Sequence, residues 1–436
     1  MTGDVLFFDF AYAEFLPIIE EAASRGIRPI MNQPAMRQVL TDRGVPSRAF
    51  HEFAEAEDTA FVKRESRALG DRVASAIARP GAAQAFDSPK GNLLVSGSKE
   101  LVREILTMAD NQIFLARVMR RLIETTNLKA LVMRSCLSSG QRALQEVAAS
   151  YGIPVIELSH GNPSRSAALG VPSPSWHMAV FGERERDILV SRGADPAKTH
   201  VTGAAQWDSL YRPKFRPSKE AARETLGLPV DQPFVLLAGS FSSGRSLHFA
   251  DSALHLMEST ETFARALASL RPAPLVAVRP HPGESSQKPV RPPTQAELAD
   301  YRRWFTERGV NLVHVDFSSS SLVEDKAILV RAADAVVVQA LSSTMITEVL
   351  ILDRPVFKSS VEGSDSFYED SDGVLTVQNS SQLADDLDRI IHDQPYRESL
   401  RESYQAALPT LNHLNDGQAA GRVVDLIETL GSAQTA

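Results

Sequence analysis

The stretch from residue 275 to residue 282 reads Leu275-Val276-Ala277-Val278-Arg279-Pro280-His281-Pro282. Its apolar first half predicts a buried strand, and its polar second half would lie at the carboxyl end of that strand, where α/β proteins bind phosphate groups. Arg279 can form a two-pronged hydrogen bond with phosphate oxygens, and His281 can donate from either ring nitrogen. The alternative is a loop whose histidine only bonds a neighbouring carbonyl.

A second segment extends this pattern. Ser342-Ser343-Thr344 follows the apolar run 335–338 and precedes an apolar helix, so it offers N-cap hydroxyls and backbone N–H groups to an anion. Glu348, one helical turn further on, could accept hydrogen bonds from a ribose. The alternative for Ser342 is an ordinary capped helix. Taken as one unit, the segment predicts a nucleotide-phosphate site.

A third segment, 236–244, runs from a predicted strand into a loop rich in glycine and serine. Gly239 and Ser240 would let a phosphate approach the backbone closely. The segment matches neither a P-loop nor the glycine fingerprint of dinucleotide-binding folds. Both mismatches argue against an NTPase and against a nicotinamide-dependent dehydrogenase.

Polar residues also follow predicted strands in the first half of the chain. His160 is a candidate general base towards an acceptor hydroxyl, or a phosphate contact, with Asp9 and Glu14 as competing bases. Arg134 and Asn162 are candidate contacts with the acceptor, Arg134 through an anionic group. The alternatives are a histidine bonded within its own turn, an Asp9 that complements a helix dipole, and an exposed structural arginine.

The composition fits an enzyme made of more than one domain. The chain has 436 residues, of which 43% are hydrophobic and 23% charged, with a single cysteine, Cys136. One cysteine excludes an intramolecular disulfide and a cysteine zinc cage, which favours a reducing, cytoplasmic location. The formal charge of −8 argues against general nucleic-acid binding. The first residues read as a strand and not as a signal peptide.

Alternating strand and helix patterns predict two Rossmann-like, doubly wound domains that face a central cleft. Residues 76–98 are predicted to form a loop, the Pro-rich stretch 287–293 a surface loop able to act as a lid, and the chain beyond residue 358 only helices. The predicted units are an acceptor-side domain at 1–210, a linker at 211–231, a donor-binding domain at 232–410 and a C-terminal helix at 411–436 that packs back on the first domain.

The chain resembles bacterial surface-polysaccharide glycosyltransferases of the GT-B fold. Among them it resembles CDP-glycerol glycerophosphotransferases and the capsule transferases that use CMP-activated sugar acids. The resemblance covers roughly residues 128–427. It rests on His160-Gly161-Asn162-Pro163, on the segment Thr202 to Asp208, on Arg279-Pro280-His281-Pro282, on Ser342-Ser343-Thr344 with Glu348, and on the segment Asp416 to Arg422.

The resemblance implies an inverting transferase that needs no metal and no cofactor. Its substrates would be a CMP-, CDP- or UDP-linked donor and a glycan or lipid-linked glycan acceptor, at the inner face of the membrane. The second domain would hold the donor, with Arg279, His281, Ser342 and Ser343 on phosphate and Glu348 near the ribose. The acceptor would lie near His160.

The sequence differs from the motifs of these families at two points, and two alternative functions are open. Gln339-Ala340-Leu341 stands where the glycerophosphotransferases usually carry an aspartate and an aromatic residue, and the acidic dipeptide-glycine motif of many sialyltransferases is not evident. The first rival is a UDP-N-acetylglucosamine 2-epimerase-like isomerase, although Thr344-Met345 replaces the usual Gly-Gly of that family. The second rival is a binding protein that kept the fold without catalysis.

Overall fold

The computed structural model describes residues 3–10, 15–79, 81, 87–88, 91–134, 138–159, 161–162, 176–239, 249–279, 295–313, 322–339, 343–359 and 366–433. The strands in these residues are β1 (Gly3–Phe8), β2 (Ile27–Met31), β3 (Arg48–Ala49), β4 (Asp87–Ser88), β5 (Gly91–Asn92), β6 (Leu128–Met133), β7 (Val155–Leu158), β8 (Trp176–Val180), β9 (Thr199–Val201), β10 (Phe234–Ala238), β11 (Leu275–Arg279), β12 (Asn311–Leu312), β13 (Ala335–Val338), β14 (Val356–Ser359) and β15 (Val374–Val377).

The helices alternate with these strands. They are α1 (Leu16–Ser24), α2 (Pro34–Asp42), α3 (Ala56–Ile77), α4 (Leu93–Thr125), α5 (Ser139–Ser150), α6 (Glu183–Ser191), α7 (Lys219–Thr225), α8 (Phe249–Ser269), α9 (Gln295–Glu307), α10 (Leu322–Ala332), α11 (Thr344–Ile351), α12 (Ser380–His392), α13 (Gln394–Leu411) and α14 (Ala419–Ser432). Short 3-10 helices at Phe50–Phe53, Ala205–Tyr211, Pro213–Phe215 and His413–Asn415 complete the described elements.

The first sheet has the order β3-β2-β1-β6-β7-β8-β9 in the described part of the chain, with parallel pairing throughout. The chain builds outwards from β1 in one direction and then from β6 in the other, so the strand order reverses between β1 and β6. Every residue of β1 is buried, because helices cover both faces. Val5 and Phe7 enter one core and Leu6 and Phe8 the other.

The second sheet has the order β12-β11-β10-β13-β14-β15 within the described residues and is also parallel. This is the order 3-2-1-4-5-6 of a doubly wound nucleotide-binding domain, with its reversal between β10 and β13. The predicted fold class, two doubly wound α/β domains, is therefore confirmed. Each sheet has one switch point, and ligands of such sheets bind beyond the carboxyl ends of the strands there.

The end of the described chain returns to the first sheet. Val423, Val424 and Ile427 of α14 lie in the same core as β1. Arg25 at the end of α1 donates to Asp425 at 2.5 Å, which ties the two helices together at the surface. Helix α14 thus packs against the first sheet.

A predicted loop, a predicted linker and a stretch predicted to be only helical contain other regular structure. Residues 93–98 begin α4, whose length of 33 residues tolerates the helix-weakening Gly97. Val374–Val377 forms β15, because its alternating β-branched and apolar residues pair with β14. The predicted linker 211–231 includes α7, where the buried Arg223 donates to Asp334 at 2.7 Å and to the carbonyl of Ala332 at 2.9 Å.

The helical pair α3 and α4 is held by one buried carboxylate. Asp58 is fully buried and accepts hydrogen bonds from Arg117 Nε and Arg121 Nη1, each at 2.7 Å. These two guanidinium groups hold the pKa of Asp58 well below its ordinary value. These bonds hold α3 to α4, and α4 packs against the first sheet through Leu115, Val118 and Leu122. Across the described residues, no helix combines the length and apolar character needed to cross a membrane.

Candidate active site

One part of the candidate site is the carboxyl edge of the second sheet. Gly239 directly follows β10, and its N–H donates to the carbonyl of Arg279, the last residue of β11, at 2.8 Å. The two residues therefore lie side by side on neighbouring strands. β10 borders the switch point, so the structure brings these two predicted phosphate-binding residues to the edge at which such sheets bind ligands.

The N-terminus of α11 lies at the same edge, directly beyond β13. Ser343 is its N-cap residue, and its hydroxyl accepts a hydrogen bond from the N–H of Met345 at 3.2 Å. Thr344 is the first residue of the helix and is half-buried, as is Ser343. The positive end of the helix dipole is thus on the other side of the switch point from Arg279.

A buried tyrosine joins this helix to the first domain. The hydroxyl of Tyr368 accepts a hydrogen bond from Asn162 Nδ2 at 2.6 Å and donates to the carbonyl of Ser343 at 3.0 Å. Its oxygen also lies 2.8 Å from Thr347 Oγ1. The side chain is 1% exposed, and burial raises the pKa of the hydroxyl above its usual range. Asn162, which was predicted to face the acceptor, therefore contacts the donor-side domain.

We expect Tyr368→Phe to lower the free energy of unfolding by about 1–3 kcal/mol, because it leaves buried polar partners without the hydroxyl while it keeps the ring. Urea unfolding of the full chain measures this loss. Tyr151→Phe is the matched control, since the exposed Tyr151 gives its hydroxyl only to Glu124 at the surface. Equal stability of the two variants would show that the Tyr368 hydroxyl does not hold the domains together.

Glu348 links α11 to the 3-10 helix Ala205–Tyr211, which lies in the chain between the two sheets, and to α10. Its Oε1 accepts a hydrogen bond from Trp207 Nε1 at 3.2 Å, and its Oε2 forms an ion pair with Lys326. The three side chains are buried, with Trp207 1%, Glu348 7% and Lys326 8% exposed. The sequence predicted Glu348 near a ribose. The structure places both of its carboxylate oxygens on protein partners.

A second part of the candidate site is a cleft at the switch point of the first sheet. It has a volume of about 640 Å³. Asp9 follows β1 and Arg134 follows β6, and these two predicted site residues lie opposite each other, since Phe8 pairs with Met133. The residues that line this switch-point cleft are Phe8, Asp9, Asn32, Phe50, His51, Asn111, Phe114, Leu115, Arg134, Ser138, Gly140 and Gln141.

Asp9 is held in an unusual conformation within this switch-point cleft. Its φ of 67° lies in the left-handed region, which residues other than glycine rarely adopt. Its N–H donates to Asn32 Oδ1 at 2.8 Å, and its Oδ2 accepts from Gln141 Nε2 at 3.1 Å. Strained backbone of this kind is concentrated at functional sites. The hydrogen bonds of Asp9 thus fix its carboxylate beside the switch point.

A buried carboxyl group supports the loop after β7. Ser159 Oγ donates to Glu185 Oε1 at 2.5 Å, and the N–H of Phe181 donates to Glu185 Oε2 at 2.7 Å. Burial, with a smaller contribution from the nearby Glu157, raises the pKa of Glu185 to about 7, against the lowering effect of its two hydrogen bonds. Ser159 immediately precedes His160, so Glu185 fixes the residue that leads into the predicted base.

The titration of Glu185 gives a pH-dependent prediction. Its pKa is about 7 in the folded chain against an ordinary 4.5, so the folded state binds more protons between these values and stability falls as the pH rises through them. We expect Glu185→Gln to remove this part of the pH dependence. Between pH 5 and pH 8, the free energy of unfolding of the variant should rise relative to that of wild type by at most about 3 kcal/mol.

Urea unfolding of wild type and Glu185→Gln at pH 5 and pH 8 measures the effect. Glu183→Gln changes an exposed glutamate of the same helix and serves as the control. If the free energies of unfolding of Glu185→Gln and wild type differ by the same amount at both pH values, that result contradicts a carboxyl group that titrates near neutrality.

Two segments of the family resemblance meet at the start of α14. Asp208 accepts hydrogen bonds from the N–H groups of Ala419 at 3.1 Å and Ala420 at 2.7 Å, so it caps that helix from outside. Arg422 Nε donates to the carbonyl of Thr202 at 2.6 Å. Through these contacts the two segments hold the start of α14 in place, where the chain returns to the first domain.

Several predicted site residues lie outside the described residues, and their roles remain predictions. They are Glu14, His160, Ser240, His281 and Ser342. The structure in turn adds residues that the sequence reasoning missed, namely Asn32, Gln141 and Tyr368, together with the buried Lys358 at the end of β14, whose pKa is lowered by burial. Of these, Gln141 had a sequence signal, the spacing Ser138-x-x-Gln141 of a capping box.

The described residues contain no group of three or more His, Cys, Asp or Glu side chains that could hold a metal ion. The predicted independence from metal remains a prediction, because the histidines at 160 and 281 lie outside those residues.

No family model matches the sequence, and no curated protein sequence is similar to it. Solved structures do resemble the fold. HepE of Anabaena in complex with UDP and glucose is 14% identical with a TM-score of 0.52, over 99% of this chain and 100% of that one. A proposed UDP-N-acetylglucosamine 2-epimerase of Listeria monocytogenes is 13% identical with a TM-score of 0.53, over 98% and 96%.

A glycosyltransferase of Rickettsia africae is 11% identical with a TM-score of 0.53, over 98% of both chains. Likeness at such identity concerns the fold. The chain thus has the GT-B fold of two doubly wound domains, as the sequence predicted.

Proposed function

We propose that this GT-B chain is a glycosyltransferase that moves a sugar from a nucleotide-activated donor to a glycan or lipid-linked glycan acceptor. One observation carries the proposal: Tyr368 bonds both Asn162 and Ser343, so a predicted acceptor-side loop is held against a predicted donor-side helix N-terminus. The enzyme would be inverting and metal-independent. It would work in the cytoplasm, in peripheral association with the membrane that carries its acceptor.

The donor side of the proposal rests on three groups at one sheet edge. The guanidinium of Arg279 supplies a fixed positive charge, and Gly239 beside it has no side chain that would keep a phosphate away from the backbone. The N-terminus of α11 supplies the positive end of a helix dipole. Together they would stabilise the phosphate charge that develops when the donor bond breaks. His281 and Ser342 are proposed to join them on sequence grounds.

The acceptor side rests on Asp9. Its carboxylate lies in the switch-point cleft of the first domain and is oriented by Gln141. As a general base it would take the proton of the acceptor hydroxyl while the hydroxyl oxygen attacks the donor carbon and the nucleotide leaves with the bonding electrons. His160, by sequence, is the other candidate for this base.

Nucleotide binding tests the donor site. We expect one of CMP, CDP, UDP or GDP to raise the melting temperature of the full chain, because a ligand at 100 times its Kd stabilises the folded state by about 2.7 kcal/mol. Arg279→Ala should lose most of this shift, whereas Arg303→Ala, which removes an exposed arginine of the same domain, should keep it. The absence of a shift with every nucleotide would contradict the proposal.

Two alternatives are separated by chemistry. An epimerase would convert UDP-N-acetylglucosamine with no acceptor present, so turnover of that sugar nucleotide alone would support the isomerase. A glycerophosphotransferase would respond to CDP-glycerol and release CMP, since the bond to phosphorus and not to sugar carbon would break. Release of the nucleoside diphosphate from a CDP- or UDP-linked sugar, or of CMP from a CMP-linked sugar, only in the presence of a glycan acceptor supports the glycosyltransferase.

A further inference from the structure

We propose that the switch-point cleft of the first domain binds an acceptor sugar that carries an anionic group, a carboxylate or a phosphate, with Arg134 on the anion and Asp9 on a hydroxyl. The inference rests on the proposed function and names the class of acceptor. The cleft combines a cation, an oriented carboxylate and aromatic rings at one switch point.

The size and lining of the cleft suit one or two sugar rings. Its volume of about 640 Å³ lies within the range of small-molecule sites. The half-buried Phe114 and the almost fully buried Phe50 give it apolar walls. Asn32 and Asn111 add amide groups for hydroxyls. The lining is therefore partly apolar and partly polar, as carbohydrate requires.

Asp9 is oriented for a hydrogen-bond donor and not for an anion. Gln141 Nε2 holds its Oδ2 at 3.1 Å, while the bond from its N–H to Asn32 fixes the left-handed backbone. A carboxylate accepts hydrogen bonds, so its partner in a ligand is a hydroxyl. Asp9 alone would serve a neutral sugar equally well.

The positive charge of Arg134 would favour an anionic sugar over a neutral one. Arg134 follows β6 directly opposite Asp9 and lines the same cleft, and Asp9 is the only acidic residue among the described residues that do so. Arg134 and Asp9 thus line one cleft from neighbouring strands, and the planar fork of a guanidinium matches a carboxylate or phosphate group of a ligand.

Titration calorimetry on the full chain tests the inference with three probes: methyl β-D-glucuronide, glucose 6-phosphate and methyl β-D-glucoside. We expect an anionic probe to bind at least about tenfold more tightly than the neutral glucoside, as a charge-assisted pair provides. The anionic probe that binds more tightly shows whether the cleft prefers a carboxylate or a phosphate group. Arg134→Gln should reduce that preference to near unity, and Arg134→Lys should keep part of it.

Arg103→Gln is the matched control, because it removes one positive charge from an exposed position on α4. Equal binding of charged and neutral probes, binding of none, or the same preference in Arg134→Gln and Arg103→Gln would each overturn the inference. The melting shift with nucleotides is measured on the same samples. If that shift is present while the sugar preference is absent, the anionic acceptor is wrong and the proposed transferase stands.

Discussion

Asp9→Asn is expected to lower the rate of sugar transfer at least about 100-fold, because general-base catalysis contributes at least that factor. Asparagine has nearly the same shape, tolerates the left-handed φ of 67° and can still pair with Gln141, so the fold should persist. It cannot take a proton from the acceptor hydroxyl. Nucleotide-induced stabilisation should be unchanged, since the proposed donor site lies in the other domain.

The measurement is the initial rate of nucleotide release in the presence of acceptor, at saturating donor. Asp71→Asn, an exposed aspartate on α3, is the control and should behave as wild type. If Asp9→Asn keeps its rate within about threefold of wild type, Asp9 is not the base. His160→Ala, made in parallel, then becomes the informative variant, because His160 is the other base that the sequence proposes.

Glu348→Gln is expected to destabilise the chain by about 3–5 kcal/mol, the usual cost of removing one partner of a buried ion pair. Glutamine can still accept the hydrogen bond from Trp207, but Lys326, only 8% exposed, loses its counter-charge. Urea unfolding measures the loss. The double variant Glu348→Gln with Lys326→Met should recover more than half of it, because no unpaired charge remains in the core.

The control is Glu402→Gln on α13, which changes an exposed carboxylate and should cost under about 0.5 kcal/mol. A Glu348→Gln chain as stable as this control would contradict the buried pair. The same variants test the ribose contact that the sequence predicted. If Glu348 only joins the domains, the folded variant binds nucleotide as wild type does, and a loss of affinity would restore the ribose role.

Most of the fold was predictable because its signals are local. Runs such as Val5–Phe8 and Ala335–Val338 are continuously apolar, which is typical of strands covered on both faces, and helical patterns separate them. β15 was missed, since Val374–Val377 is short and half-buried and depends on pairing with β14. The start of α4 was missed because Gly97 and two serines around it resemble a loop.

The site was predictable only where a residue follows a strand or caps a helix. Gly239, Arg279 and Ser343 were found in this way, and the sheet order then places them at one edge. Tyr368 belongs to no motif. Its role depends on the hydrogen bond from Asn162, which is 206 residues away in the sequence. Glu348 was also singled out from its motif, but a single sequence does not show that Trp207 and Lys326 surround it.

The most direct test of the central claim is transfer itself. The full chain is incubated with CMP-, CDP- or UDP-linked radiolabelled donors, with and without a bacterial surface-glycan extract. The proposal predicts that one donor moves its labelled sugar into the glycan fraction, with an equal amount of nucleotide released and neither event without acceptor. Turnover of the sugar nucleotide in the absence of acceptor, or no transfer and no nucleotide release with any donor, would contradict it.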